Sequence, residues 1–197
     1  MVLGTHLIIT AYGFWLPNDP RGSWSKFVGS WELVRFGRAT KTDDPRSVAR
    51  APHDRAARLA AKQALRYRPV RFSGIQARAV GRGFAGFVRR SGVRVWACSI
   101  MPEHALLVIA RHRYDARQVA SLLKGAATRQ LLAEELHPMA EARNYRGRPP
   151  SPWAARSWAV FLDSPADVRR AIEYVENNPA KEGLPPQRWS FVTQYDL

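Results

Sequence analysis

The chain has 197 residues, 46% of them hydrophobic, enough for one domain with a buried core and a long insertion. Its 31 lysines and arginines against 16 acids leave a net charge of +15, which draws polyanions and makes nucleic acid the expected partner. The single cysteine, Cys98, excludes an internal disulfide and a multi-cysteine zinc site, and no apolar run is long enough to cross a bilayer.

The opening stretch "MVLGTHLIITAYGFWLP" lacks the basic leader and small-residue cleavage site of a signal peptide, so a cytoplasmic protein is expected. Within it, Thr5 to Tyr12 is rich in β-branched residues and predicts a first strand. Residues 13–52 follow, punctuated by Gly, Pro, Asn and Asp, and read as a long Trp-rich insertion. There Trp15, Trp24 and Trp31 interleave with Arg21, Lys26 and Arg35, a pattern suited to stacking on unpaired bases or to anchoring the loop. Arg21 and Trp24 are its candidate nucleic-acid contacts.

Pro52 to Tyr67 predicts an amphipathic helix, and a second runs from about Ser73 to a stop at Gly92. Gly81, Gly83 and Gly86 do not make a phosphate loop, because the preceding strand, the lysine and the hydroxyl are missing. Val93–Ile100 alternates like a strand, and "HALLVIAR" continues after a Met-Pro turn as its hairpin partner. "DARQVASLLKGAATRQLLAEEL" predicts a helix with Val119, Leu122, Leu123 and Ala126 inward. Arg117, Lys124, Thr128 and Arg129 then form either a phosphate-contacting face or an ordinary solvated one. A basic loop containing Arg143, Tyr145 and Arg146 leads to a strand at Trp158 to Leu162. Ser164 and Pro165 open the last helix, whose buried stripe is Val168, Ile172 and Val175 and which "NNP" is expected to end. The tail, 185–197, is irregular and expected to pack Trp189 and Phe191 on the body of a single 1–197 domain.

With the insertion set aside, the element order predicts an α+β fold of the ferredoxin-like type: an antiparallel sheet with helices on one face. Such a fold hosts many functions.

Three stretches resemble one family. "MPEHALLVI" resembles the Met-Pro-x-His-x-His signature of single-tyrosine HUH transposases, including the REP-associated ones. "SLLKGAATRQL" resembles the basic helix that follows it, and "SPWAARSWAVFLDSPADVRRAIEYVENNPAKEGL" resembles the C-terminal block. The resemblance covers roughly the C-terminal half and the first strand, and "YVENNPAKEGL" is its most specific piece. It implies DNA binding, to single strands or hairpins, and nicking with strand transfer. Two histidines at i and i+2 would clamp Mg or Mn, and a tyrosine would attack phosphorus. It allows a monomer or a homodimer.

Carried over by position, His104 is the first metal histidine, Leu106 stands at the second, and Ser157 stands at the tyrosine position. Neither replacement does the chemistry as well. Leucine cannot ligate, and a serine alkoxide is harder to generate than a phenolate (pKa about 10) without a base. Tyr145 is a substitute candidate, whereas Tyr174 reads as packing. His112 shares the face of His104 but lies about 26 Å along the strand. His6, His53 and His137 read as surface or capping histidines. The reading is a DNA-binding protein impaired in cleavage, with no metal needed. The alternatives are an active nickase with a rearranged metal site, and an RNA-binding accessory protein.

Overall fold

Strand β1 (Gly4–Thr10) is the spine of the sheet. In the computed structural model of the protein, which describes residues 1–42, 48 and 51–196, it pairs antiparallel with two neighbours at once. On one side lies β3 (His104–Ala110), with Thr10 opposite His104 and His6 opposite Val108. On the other lies β4 (Trp158–Leu162), with Ile8 opposite Trp158. A hairpin joins β3 to β2 (Val95–Ile100), which gives the order β2-β3-β1-β4. This α+β antiparallel sheet belongs to the unit made of Met1–Ala11 and Arg71–Leu197.

Its helices begin and end where local chemistry dictates. Helix α3 (Gly74–Ser91) starts with a capping box, Ser73 accepting from the Gln76 N–H while the Gln76 side chain accepts from the Ser73 N–H. It stops at Gly92, whose φ of 72° is cheap only for glycine. Asp115 caps α4 (Ala116–Ala133), and Ser164 caps α5 (Pro165–Lys181) with proline in its first turn.

Helices cover both faces of the sheet rather than one. Leu106 and Val108 of β3 pack with Val168, Ala171 and Val175 of α5. The alternate residues Leu107 and Ile109 are equally buried, on the face that α3 and α4 cover. The near-continuous apolar run "HALLVIA" is the sequence signature of a strand covered on both sides. A second difference lies in α5, which continues through the expected stop to Lys181 with Pro179 buried inside it. Proline removes one hydrogen bond there, but burial of Asn178 and Pro179 holds the last turn on the sheet.

Gly83 explains the α3–α4 contact. A Cβ there would lie 2.7 Å from the Ala127 Cα and 2.9 Å from the Ala126 carbonyl oxygen, so only glycine lets the two backbones approach. Gly81 likewise gives its space to the Trp189 ring. Cys98 is buried, and burial pushes its thiol pKa up. Residues of the tail cover β2. The Gln187 side chain accepts from the Ile100 N–H at 2.7 Å and donates to the Ile100 carbonyl at 2.9 Å. Further along, the Thr193 N–H donates to the Val95 carbonyl at 2.8 Å.

Residues Tyr12–Val70 form a second compact unit, wider than the insertion read from sequence, whose residues 43–47 and 49–50 lie outside the described ones, as does residue 197 of the tail. Among its described residues are the helices α1 (Trp31–Val34) and α2 (Arg55–Gln63). The sequence predicts a longer α2, and the chain leaves the helix after Ala64, before Pro69. Leu16, Leu33 and Ala61 form its small core, flanked by Val28, Phe36 and Leu65.

Gly83→Ala should destabilise the protein by about 2 kcal/mol, because overpacking outweighs the gain in helix propensity of about 1 kcal/mol. Chemical denaturation checks this, and a neutral or stabilising result would contradict the close helix approach.

Candidate functional site: the His104 end of the sheet

His104 opens β3, half-buried, on the face that α5 covers. Burial lowers its pKa, opposed by Glu182, by a hydrogen bond with Asn178 and by Glu103. Burial wins, so the imidazole is neutral near pH 7. Asn178, itself buried, and Glu182 come from the last turn of α5 and its C-cap. Sequence reasoning missed both; the sole hint was that they fall in the Asn-Pro block. Glu103 is tied to Arg71 at 3.4 Å.

Leu106, two residues on, is 2% exposed and sits among Val108, Val168 and Val175. Among the described residues no three His, Cys, Asp or Glu side chains converge as a metal site. One imidazole followed by a buried hydrocarbon does not fit the divalent ion that a two-histidine clamp would hold.

On the other side of β1 the chain makes a bulge. Trp153 bridges Ala11, the Ala154 N–H donates to the Thr10 carbonyl at 2.9 Å, and Trp158 pairs with Ile8. Ala155, Arg156 and Ser157 therefore stand opposite Ile9 alone, which re-aims this segment out of the ladder. Lys124 of α4 fastens it. Its Nζ donates to the carbonyls of Ala154 at 2.9 Å and Arg156 at 3.0 Å, with the Ala155 carbonyl at 3.5 Å. Burial lowers the Lys124 pKa to about 8, so the amine is still an ammonium at pH 7. Trp153, 2% exposed, stacks on Phe84 and leans on Phe72, locking the other end of the bulge.

Thr10 thus stands between the two sequence-predicted chemical positions, opposite His104 on one side and bonded to Ala154 on the other. Ser157 is half-buried at the end of the bulge. The remaining candidates are spread more widely. Arg117 and Arg129 are exposed on α4, while Thr128 turns its hydroxyl back to the Lys124 carbonyl at 2.8 Å. Tyr145 is 83% exposed, with the Arg146 guanidinium 5.1 Å from its ring centre. Arg143 donates to the carbonyls of Ala140 and Ala142. In the second unit, Arg21 is committed: it forms a two-point salt bridge with Asp19 at 2.8 Å and covers the Trp15 ring at 3.9 Å. Trp24 is exposed.

The remaining histidines separate. His6 is half-buried: its ring meets Tyr174 edge-on at 5.7 Å, and burial pushes its pKa down to about 4. Lys181 lies 4.8 Å over the same Tyr174 ring. His112, at the far end of β3, accepts from the Tyr114 N–H and so donates to the Ser91 carbonyl at 3.2 Å. His137 accepts from the Met139 N–H as a local cap, and His53 contacts the Ala51 carbonyl.

No protein-family model matches the chain, and no curated protein matches it. Two solved structures are similar in fold. One is a REP-associated tyrosine transposase bound to a REP hairpin, 13% identical, with a TM-score of 0.48 over 94% of this chain and 72% of that one. The other is a candidate transposase from Deinococcus radiodurans R1, 13% identical, with a TM-score of 0.42 over 90% and 91%. Likeness at this level assigns no function.

Two outcomes are expected. Lys124→Met should cost about 1–3 kcal/mol by leaving carbonyls without their donor, and should speed tryptic cleavage after Arg156. An unchanged cleavage rate would show that the ammonium does not hold the bulge. For His6, the folded pKa lies below the unfolded value, so its contribution is complete above pH 6.5 and is lost as pH falls towards about 4. Between pH 7 and pH 4 it should remove about 3 kcal/mol of stability, a component that His6→Leu abolishes in urea melts at the two pH values.

Proposed function

We propose that the protein binds single-stranded or hairpin DNA as a descendant of HUH tyrosine transposases and does not cut it by the metal-assisted route. The observation that carries this reading is Leu106, 2% exposed between β3 and α5 at the position of the second metal histidine. Restoring a ligand there would put an imidazole into a packed hydrocarbon core. A neutral His104 beside Asn178 and Glu182 can exchange hydrogen bonds with a ligand, but alone it does not clamp a cation.

The nucleophile position supports the same reading. Ser157 would need a base to become an alkoxide. Lys124, which reaches the carbonyl of the preceding residue Arg156, is an ammonium at neutral pH and spends its N–H groups on backbone carbonyls. It orders the bulge and has no lone pair to take a proton. Binding itself rests on charge. The net +15 attracts the phosphate backbone, and Arg117, Arg129, Arg143 and Arg146 present guanidinium groups on exposed stretches of the same unit. Among the described residues no helix is long and apolar enough to cross a membrane.

The test is an electrophoretic shift of a DNA hairpin across a salt series. Affinity should fall about a thousandfold or more between 50 and 200 mM salt, as several phosphate contacts require. No shift at low salt refutes DNA binding. Incubation with labelled single-stranded DNA and Mn²⁺ should leave no adduct that survives denaturant. An adduct lost in His104→Ala would establish an active nickase instead, and markedly tighter binding of RNA would move the reading to RNA.

A further inference from the structure

The Tyr12–Val70 unit exposes several large apolar side chains. Helix α1 is held by one inward side chain, Leu33, 2% exposed against Leu16 and Ala61, and by the Asn18 amide donating to the Leu33 carbonyl at 2.9 Å. Its other large side chains face out. Trp31 is 86% exposed and Val34 59%, with Phe27 at 59% and Trp24 at 46% in the preceding turn-rich segment. Apolar surface left in water on this scale marks a contact site more often than chance does.

The tryptophans of this unit have separate tasks. Trp15 is structural: its indole N–H donates to the Gly22 carbonyl at 2.8 Å and Arg21 covers its ring. Trp31 has no such place in the core. Exposed cations flank it in the chain: Lys26, Arg35 and Arg38. Glu32 is the single acid between residues 24 and 42, and its carboxyl is already engaged, held low by its own backbone N–H, by Ser30 and by Arg66.

Flat aromatic faces interleaved with exposed cations complement a polymer that alternates bases with phosphates. A one-turn helix is too short to lay an apolar face into a lipid surface, and an apolar protein partner would offer no counter-charge to Lys26, Arg35 and Arg38.

We propose that this surface, led by Trp31, stacks unpaired bases of single-stranded DNA, with Lys26, Arg35 and Arg38 holding the phosphates. It rests on the DNA-binding reading and adds a base-stacking site on a separate unit from the His104 end. Trp31 supplies the ring face, and specificity is for unpaired bases rather than for sequence.

The test compares the full chain with Trp31→Ala and Trp31→Phe, measuring fluorescence anisotropy with a 12-nucleotide oligothymidylate and with a blunt hairpin duplex at one salt concentration. Trp31→Ala should weaken oligothymidylate binding about tenfold, leave the duplex within about twofold, and be largely rescued by Trp31→Phe. Equal oligothymidylate affinity in wild type and Trp31→Ala overturns the proposal while leaving DNA binding intact; so does an equal loss on the duplex. Failure of the wild-type chain to bind either DNA removes the underlying reading as well. Tighter binding of oligouridylate, or a Trp31-dependent affinity for anionic lipid vesicles without an effect on oligothymidylate, assigns the surface to RNA or to membrane and also overturns it.

Discussion

Burial of β3 on both of its faces is the constraint from which most of the fold follows. A strand covered on both sides cannot alternate polar with apolar, so Leu106 and Val108 serve α5 while Leu107 and Ile109 serve the opposite layer. The same strand pairs with β1 on one edge and β2 on the other, and α3 and α4 can close over it because Gly83 leaves no side chain between them. Polar chemistry is pushed to the strand's ends. His104 sits where the cover thins, and its neutral imidazole follows from that half-buried position.

The two sides of β1's end answer different needs. On the β3 side, Leu106 is given over to packing against α5. On the β4 side, a bulge ending at Ser157 is held by Lys124. Three carbonyls turned towards one ammonium are a costly arrangement to leave half-satisfied, which makes the bulge stiff.

The elements were legible from periodicity and punctuation. Ser73, Gly92, Ser164 and Pro165 mark helix ends by chemistry that works at short range, and β1, β2, β3 and β4 fall where β-branched runs place them. The coverage of both sheet faces was encoded in "HALLVIA" but easily taken for a hairpin strand. What was illegible depended on partners distant in sequence. Lys124 reads as a phosphate contact until the carbonyls thirty residues on are seen around it. Arg21 reads as a nucleic-acid contact until Asp19 and Trp15 claim it. His6, Asn178 and Glu182 acquire meaning only when α5 lies on the sheet, and no local pattern specifies that.

The tail's hold on β2 has a consequence for how the chain can be trimmed. Gln187 imitates a strand residue against Ile100, and Thr193 occupies the Val95 carbonyl. Without residues 185–196 the outer edge of β2 would offer unpaired backbone groups beside a fully buried strand, a template for sheet extension by any neighbouring chain. The irregular terminus thus acts as a stopper, and shortening it would trade a seemingly dispensable end for a sticky one.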